Sequence, residues 1–257
     1  MIVDYHMHLR NEREEIAHEV AAVEPFVETA RRRGVDEIGF TEHVYYFRQT
    51  RELWEVPYQY ERCVYDLDAY CEAVIEAKRR GLPVKLGLEV DYVGARQARL
   101  AEILAPYPWD FLLGSVHWLE GLAIDQKPGI WDGRSVEDVW RSYLAALAEL
   151  APFVDALAHP DLPKIFGDRP SDPASLYPPL ERVALEISTA GLRKPVAELY
   201  PDRALLELGL PITLASDAHV PQLVGEDFDL ALALARAAGH ETVTIFEGRR
   251  ARQEPLG

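Results

Sequence analysis

Histidine is not scattered through this chain of 257 residues; it recurs in short motifs that close runs of β-branched or apolar residues. Asp4, His6 and His8 follow the first such run as DYHMH, and Glu42 and His43 end the second in TEH. Glu89 lies in GLEVDY, His117 in GSVHW, His159 in AHPDL, and Asp217 and His219 in ASDAH. Of eight histidines, only His18 and His240 fall outside these motifs. Alternation along an extended segment points His6 and His8 to the same side. Imidazole and carboxylate are the ligand types that Zn²⁺, Mn²⁺ and Fe²⁺ share, so the set predicts a transition-metal centre without choosing the metal. A single catalytic zinc takes about three protein ligands. The supply here suffices for two to three divalent ions, with a carboxylate such as Glu89 shared between two of them. Closely spaced ions of this kind can hold a hydroxide as nucleophile.

The elements that must position these groups are βα units. Strands are expected near Met1 to Val3, Glu37 to Phe40, Val84 to Leu88, Phe111 to Ser115, Val154 to Ala158, Ala184 to Ile187 and Ile212 to Ala215, with a last candidate at Thr242 to Phe246. Between them, Val20 to Arg33, Leu67 to Arg80, Val136 to Leu150 and Phe228 to Ala238 carry apolar residues at helical spacing. Strands alternating with helices along the whole chain predict an α/β fold, a parallel barrel with its active site at the C-terminal strand ends. With no linker or low-complexity tract, residues 1–257 are expected to form one domain. The segments after the fifth and sixth strands are too short for regular crossover helices. The aromatic and polar insertion from Val44 to Tyr65 is expected to be a loop over the site.

Composition narrows the function classes. Forty-three acidic against 27 basic residues give a net charge of −16, which disfavours long nucleic acid as a partner. Cys63 and Cys71 have no CxxC spacing and are expected to be reduced thiols. No apolar run is long enough for a membrane span, and Asp4 interrupts any signal-peptide core. A cytoplasmic location is the expectation. Oligomeric state has no signature in the sequence.

Taken in order, DYHMH, TEH, GLEVDY, GSVH, AHPDL and ASDAH resemble the polymerase-and-histidinol-phosphatase (PHP) family of phosphoesterases over nearly the whole chain. STAGLRKP and ELYP, at Ser188 to Pro195 and Glu198 to Pro201, look like the segment that contributes phosphate contacts in the histidinol-phosphate phosphatase branch. The resemblance implies a distorted TIM-like (β/α)7 barrel with a trinuclear site. Carried over by motif, His6, His8, Glu89 and Asp217 hold one ion, and Glu89, His117 and His159 a second. His43 and His219 hold a third with a ligand from the first loop, either His18 or Glu14; His18 is preferred because the loop is longer than usual.

The resemblance implies a metal-dependent phosphomonoesterase whose substrate is a small phosphate ester, foremost L-histidinol phosphate. Arg193 is expected to clamp the terminal phosphate, with Lys194 as a second point charge and Arg48 a weaker candidate. A metal-bound water, Asp217 or His219 is a candidate proton source for the leaving alkoxide. Asp4 is expected to orient a ligand histidine, and Tyr45, Tyr46 and Asp91 are candidates for recognising the rest of the substrate. An amidohydrolase also begins with HxH on its first strand, but it commonly places a carboxylated lysine where this chain has Glu89, and it has no need of TEH. A nuclease of the same family conflicts with the charge. A non-catalytic metal protein would have lost a ligand, and no strand-end position has lost one.

Overall fold

The computed structural model describes residues 1–9, 18–127 and 129–257. Its strands, in chain order, are β1 (Val3–Asp4), β2 (Glu37–Phe40), β3 (Val84–Leu86), β4 (Glu89–Asp91), β5 (Leu113–Ser115), β6 (Trp118–Leu119) and β7 (Leu122–Ala123). These are followed by β8 (Ala156–Leu157), β9 (Ala184–Ser188), β10 (Ile212–Ala215), β11 (Thr242–Glu247) and β12 (Arg250–Pro255). The helices are α1 (Val20–Arg32), α2 (Pro57–Tyr60), α3 (Leu67–Arg79), α4 (Gln97–Leu104), α5 (Val136–Leu150), α6 (Arg203–Leu206) and α7 (Phe228–Ala237).

The staves run parallel in two hydrogen-bonded groups, β1-β2-β3 and β4-β5-β8-β9-β10. Two seams join the groups. Gly87 N donates to Phe40 O and Glu89 N to Glu42 O, so β3 and β4 are two halves of one stave beside β2. Tyr5 N donates to Leu214 O and His8 N to Ala218 O, which brings β1 against β10. The result is a short-staved, distorted seven-stave barrel. The long helices pack one apolar stripe onto it: α5 buries Val139, Trp140, Tyr143, Leu144, Leu147 and Leu150, and its first turn is capped by Ser135, whose hydroxyl accepts from Asp138 N.

After β8 and β9 there is no room for such helices. The chain instead crosses in 3-10 turns at Leu162–Phe166, Ala174–Leu176 and Thr189–Arg193, with only the four-residue α6 beyond them. Glycine makes space inside. A Cβ on Gly39 or on Gly87 would lie 2.7 or 2.6 Å from the ring of Phe111, which fills the barrel between them.

The expected last strand at Thr242 to Phe246 forms, but not as a stave. It pairs antiparallel with β12, and Phe246 stacks on Phe111 beneath Tyr5. At the hairpin turn Arg249 binds Asp155, and its backbone N–H donates to Asp110 O. The hairpin thus closes the N-terminal floor of the barrel. A second hairpin, β6–β7, was not legible in the sequence; it stands at the opposite end, directly after His117. The insertion from Val44 to Tyr65 is less loop-like than expected, because it folds into 3-10 turns and α2 and buries Tyr45, Tyr46, Phe47 and Trp54.

Candidate metal centre

Every strand-end motif arrives at one rim. The backbone there is itself bridged: Met7 pairs with Ala218 and His43 with Glu89. His159 and Asp217 sit at φ +28° and +51°. Non-glycine residues adopt such values at some cost, and they cluster at functional sites.

Glu89 is the centre of the arrangement. Its Oε2 lies 3.5 Å from His6 Nε2 and 3.7 Å from His8 Nε2, and Asp217 Oδ1 lies 3.6 and 3.5 Å from the same two nitrogens. Its Oε1 lies 3.6 Å from His117 Nε2 and 3.5 Å from His159 Nε2. Two ligand atoms each about 2.1 Å from a tetrahedral ion stand about 3.4 Å apart. The observed separations are therefore those of groups waiting around cations, and too long for hydrogen bonds among themselves. A third cluster brings His8, His43 and His219 together, and a fourth joins His43, Asp91 and His117. His43 Nδ1 stands 2.6 Å from Glu89 Oε2, closer than two ligands of one ion can be.

The donor set fits divalent metal on a second ground. His6 Nε2, both nitrogens of His8 and Glu89 Oε1 are buried with no hydrogen-bond partner, and His43 Nδ1 and Glu89 Oε2 have only each other. Each such atom costs about 1–3 kcal/mol in a closed protein, and a shared cation satisfies them together.

Neighbouring carboxylates fix the ring orientations. His6 Nδ1 is 2.8 Å from Glu186 Oε2, and His117 Nδ1 is 2.8 Å from Asp91 Oδ1. Each pairing leaves Nε2 facing the centre, the usual arrangement behind a metal-binding imidazole. The other oxygen of Glu186 accepts from His159 N, so one side chain holds two motifs.

Burial alone would push His8 and His117 down, but the surrounding carboxylates outweigh it and lift both to about 9. His43 and His219 go the other way, to about 3 and 4, because burial is joined by the charge of neighbouring histidines. Glu89 and Asp217 lie well below the usual carboxylate range; burial opposes this, and the imidazoles override it.

Several expected roles change. Asp4 accepts from the backbone N–H of His6, from the backbone N–H and the hydroxyl of Ser216 and from Gly225 N, and so ties the His6 motif to the loop that carries Asp217. Asp91, expected at the substrate, orients His117. His18 stands 3.6 Å from one oxygen of Glu42, whose other oxygen lies 3.6 Å from His8, with its ring against Phe47, Tyr65 and Tyr70. Glu14 lies outside the described residues.

Arg193, expected at the terminal phosphate, is 26% exposed and sits beside the Asp217 loop. Its guanidinium donates to Ser216 O at 2.5 Å and lies 3.5 Å from Glu226. Lys194 lines the cleft. Arg48 is 60% exposed and paired with Asp66. Tyr45 stacks on His43 and lines the cleft, whereas Tyr46 meets His43 edge-on and is buried.

Tyr58, Trp118, Asp125 and Gln126 also line the cleft, and sequence reasoning did not select them. Nor did it select Glu186, whose one signal was an acid in the middle of the otherwise apolar run ALEIS.

A carboxylate ringed by imidazoles at the strand ends of an α/β barrel defines a metal-dependent hydrolase. Residues 4–192 match the PHP domain, and the chain belongs to that family. Over 241 residues it is 32% identical to the "Probable histidinol-phosphatase" of Deinococcus radiodurans, covering 89% of this chain and 92% of that one. A protein of the same name from Schizosaccharomyces pombe is 25% identical over 266 residues, covering 90% and 85%. Among solved structures, the histidinol phosphate phosphatase of Lactococcus lactis, complexed with zinc, L-histidinol and phosphate, superposes with a TM-score of 0.69. It covers 98% of both chains at 22% identity, a likeness of fold.

Proposed function

We propose that this protein is a metal-dependent phosphomonoesterase that hydrolyses L-histidinol phosphate to L-histidinol and phosphate. The observation that carries the reading is Glu89, whose two oxygens face the imidazoles of His6, His8, His117 and His159 beside a cleft lined by Lys194. The names of its relatives support the substrate, as does the L. lactis enzyme, whose structure holds zinc, L-histidinol and phosphate.

In this reading His6, His8, Glu89 and Asp217 hold one divalent ion, and Glu89, His117 and His159 a second. His43 and His219 serve a third. Bound there, Zn²⁺, Mn²⁺ or Fe²⁺ supplies Lewis acidity toward the phosphoryl oxygens and lowers the pKa of water. The chain's own residues do the rest. Lys194 offers its ammonium to the terminal phosphate. Arg193, held on Ser216 O, keeps the Asp217 loop in place. Asp217 and His219 line the cleft, but as ion ligands they hold no proton to give, so the leaving alkoxide would take its proton from water. We take the cytoplasm as its compartment, since both cysteines are free and buried. No helix among the described residues is long and apolar enough to cross a membrane.

The test is phosphate release, side by side, from L-histidinol phosphate, p-nitrophenyl phosphate and nucleotides, after reconstitution with each metal. Faster turnover of L-histidinol phosphate is expected. Equal, slow turnover of all the esters would overturn the substrate and leave the metal centre standing.

A further inference from the structure

The metals and Lys194 account for one end of a phosphate ester. Part of the cleft wall comes from two insertions that have no part in the barrel. Tyr45 and Tyr58 belong to the segment after β2, and Trp118 to the β6–β7 hairpin. The rings of Tyr58 and Trp118 pack 5.4 Å apart at centroids, and those of Tyr45 and Tyr58 at 6.1 Å. Directly after the hairpin, Asp125 reaches the same cleft. It is half-buried and forms no ion pair and no hydrogen bond with any described side chain.

The acids around it are committed elsewhere: Asp91 to His117, Glu186 to His6, and Glu89 and Asp217 to the imidazole ring. Asp125 is the cleft carboxylate with no direct partner among the described residues, although its charge is felt by His117. Its charge opposes any phosphate, so it does not serve that end of the substrate. An anion beside an aromatic wall suits an ammonium group carried next to a flat ring, because a charge-assisted hydrogen bond and ring packing then act on adjacent parts of one molecule.

We propose that Asp125 is the specificity-determining counter-ion for the ammonium of the amino-alcohol ester, with Tyr58 and Trp118 packing against its ring. The assignment rests on the phosphomonoesterase reading above. Asp125 then selects esters that carry an amine next to the phosphorylated carbon chain, while the metals remain indifferent to it. The Trp118–Asp125 segment thus acts as a reading arm attached to the strand end that supplies His117.

The experiment compares kcat/KM for L-histidinol phosphate with kcat/KM for imidazolylpropyl phosphate, the same ester without the amine. It uses the metal-loaded wild type, Asp125→Asn and Asp125→Glu, with metal content determined on each. In the wild type the amino ester is preferred. Asn, which keeps the shape and removes the charge, lowers that preference roughly tenfold or more, the worth of a charge-assisted hydrogen bond. Glu restores part of it. An unchanged preference in Asp125→Asn, or a metal content that falls with the substitution, overturns the assignment and leaves the phosphatase reading intact. A wild type that releases no phosphate from either ester overturns the phosphatase reading itself.

Discussion

Lys194 and Arg193 are adjacent in sequence and opposite in use. The lysine lines the cleft; the guanidinium turns back to Ser216 O and Glu226. Substituting Lys194 by Ala should raise KM for phosphomonoesters roughly tenfold, as loss of a charge-assisted contact does, with metal content unchanged. Substituting Arg193 by Ala should instead loosen the Asp217 loop and lower metal occupancy. Steady-state kinetics with metal analysis of both variants separates the two roles, and the opposite pattern would return the clamp to Arg193. The metal-facing groups were legible in the sequence because six motifs in turn end an apolar run in imidazole or carboxylate, and strand ends of a parallel barrel converge on one rim. The direction of Arg193 was hidden, because a basic pair on a tight turn carries no record of which side chain faces inward.

Element boundaries followed the strength of the local signal. Helices α3, α5 and α7 form within a residue of their expected ends, since apolar spacing, caps and terminal glycines agree. Glu186 was illegible because it lies inside a strand and not at its end, where the candidate ligands fall. Trp118 to Asp125 was illegible because two-residue strands have no period. Thr242 to Phe246 was read as a stave because a buried parallel strand and the inner strand of a covering hairpin share the same alternation. The glycines of β2 and of the β3–β4 stave have a sharper meaning. Gly87→Ala would set a methyl 2.6 Å from Phe111 and 2.9 Å from Phe40 O, and should cost about 1–3 kcal/mol by overpacking. Denaturant unfolding of the metal-free variant checks this without interference from the ions.

At the scale of the molecule, the centre couples stability to pH with a sign that depends on metal. In metal-free protein, His8 and His117 titrate near 9 instead of 6.5. Their protonation stabilises the fold fully below about pH 6.5, and that stability is lost as pH rises toward 9. His43 and His219 have depressed values of about 3 and 4, so unfolding takes up their protons, and stability falls as pH drops below 6.5. Metal-free protein should therefore have its highest Tm close to pH 6.5 and a lower one at pH 9. Metal-loaded protein, whose imidazoles must be neutral to bind, should show no such fall between pH 7 and 9. Melting curves across this range, with and without chelator, decide it; parallel curves would refute it.

Glu89 has one oxygen toward His6 and His8 and the other toward His117 and His159. A side chain placed this way makes the two ion sites thermodynamically dependent. An ion held by His6, His8 and Glu89 would fix the carboxylate and neutralise part of its charge. The second then finds a group already aimed but less attractive. The linkage is reciprocal, so the occupancy of either position reports on the other. The protein's response to scarce metal would then follow coupled occupancy of these sites, not the affinity of either alone.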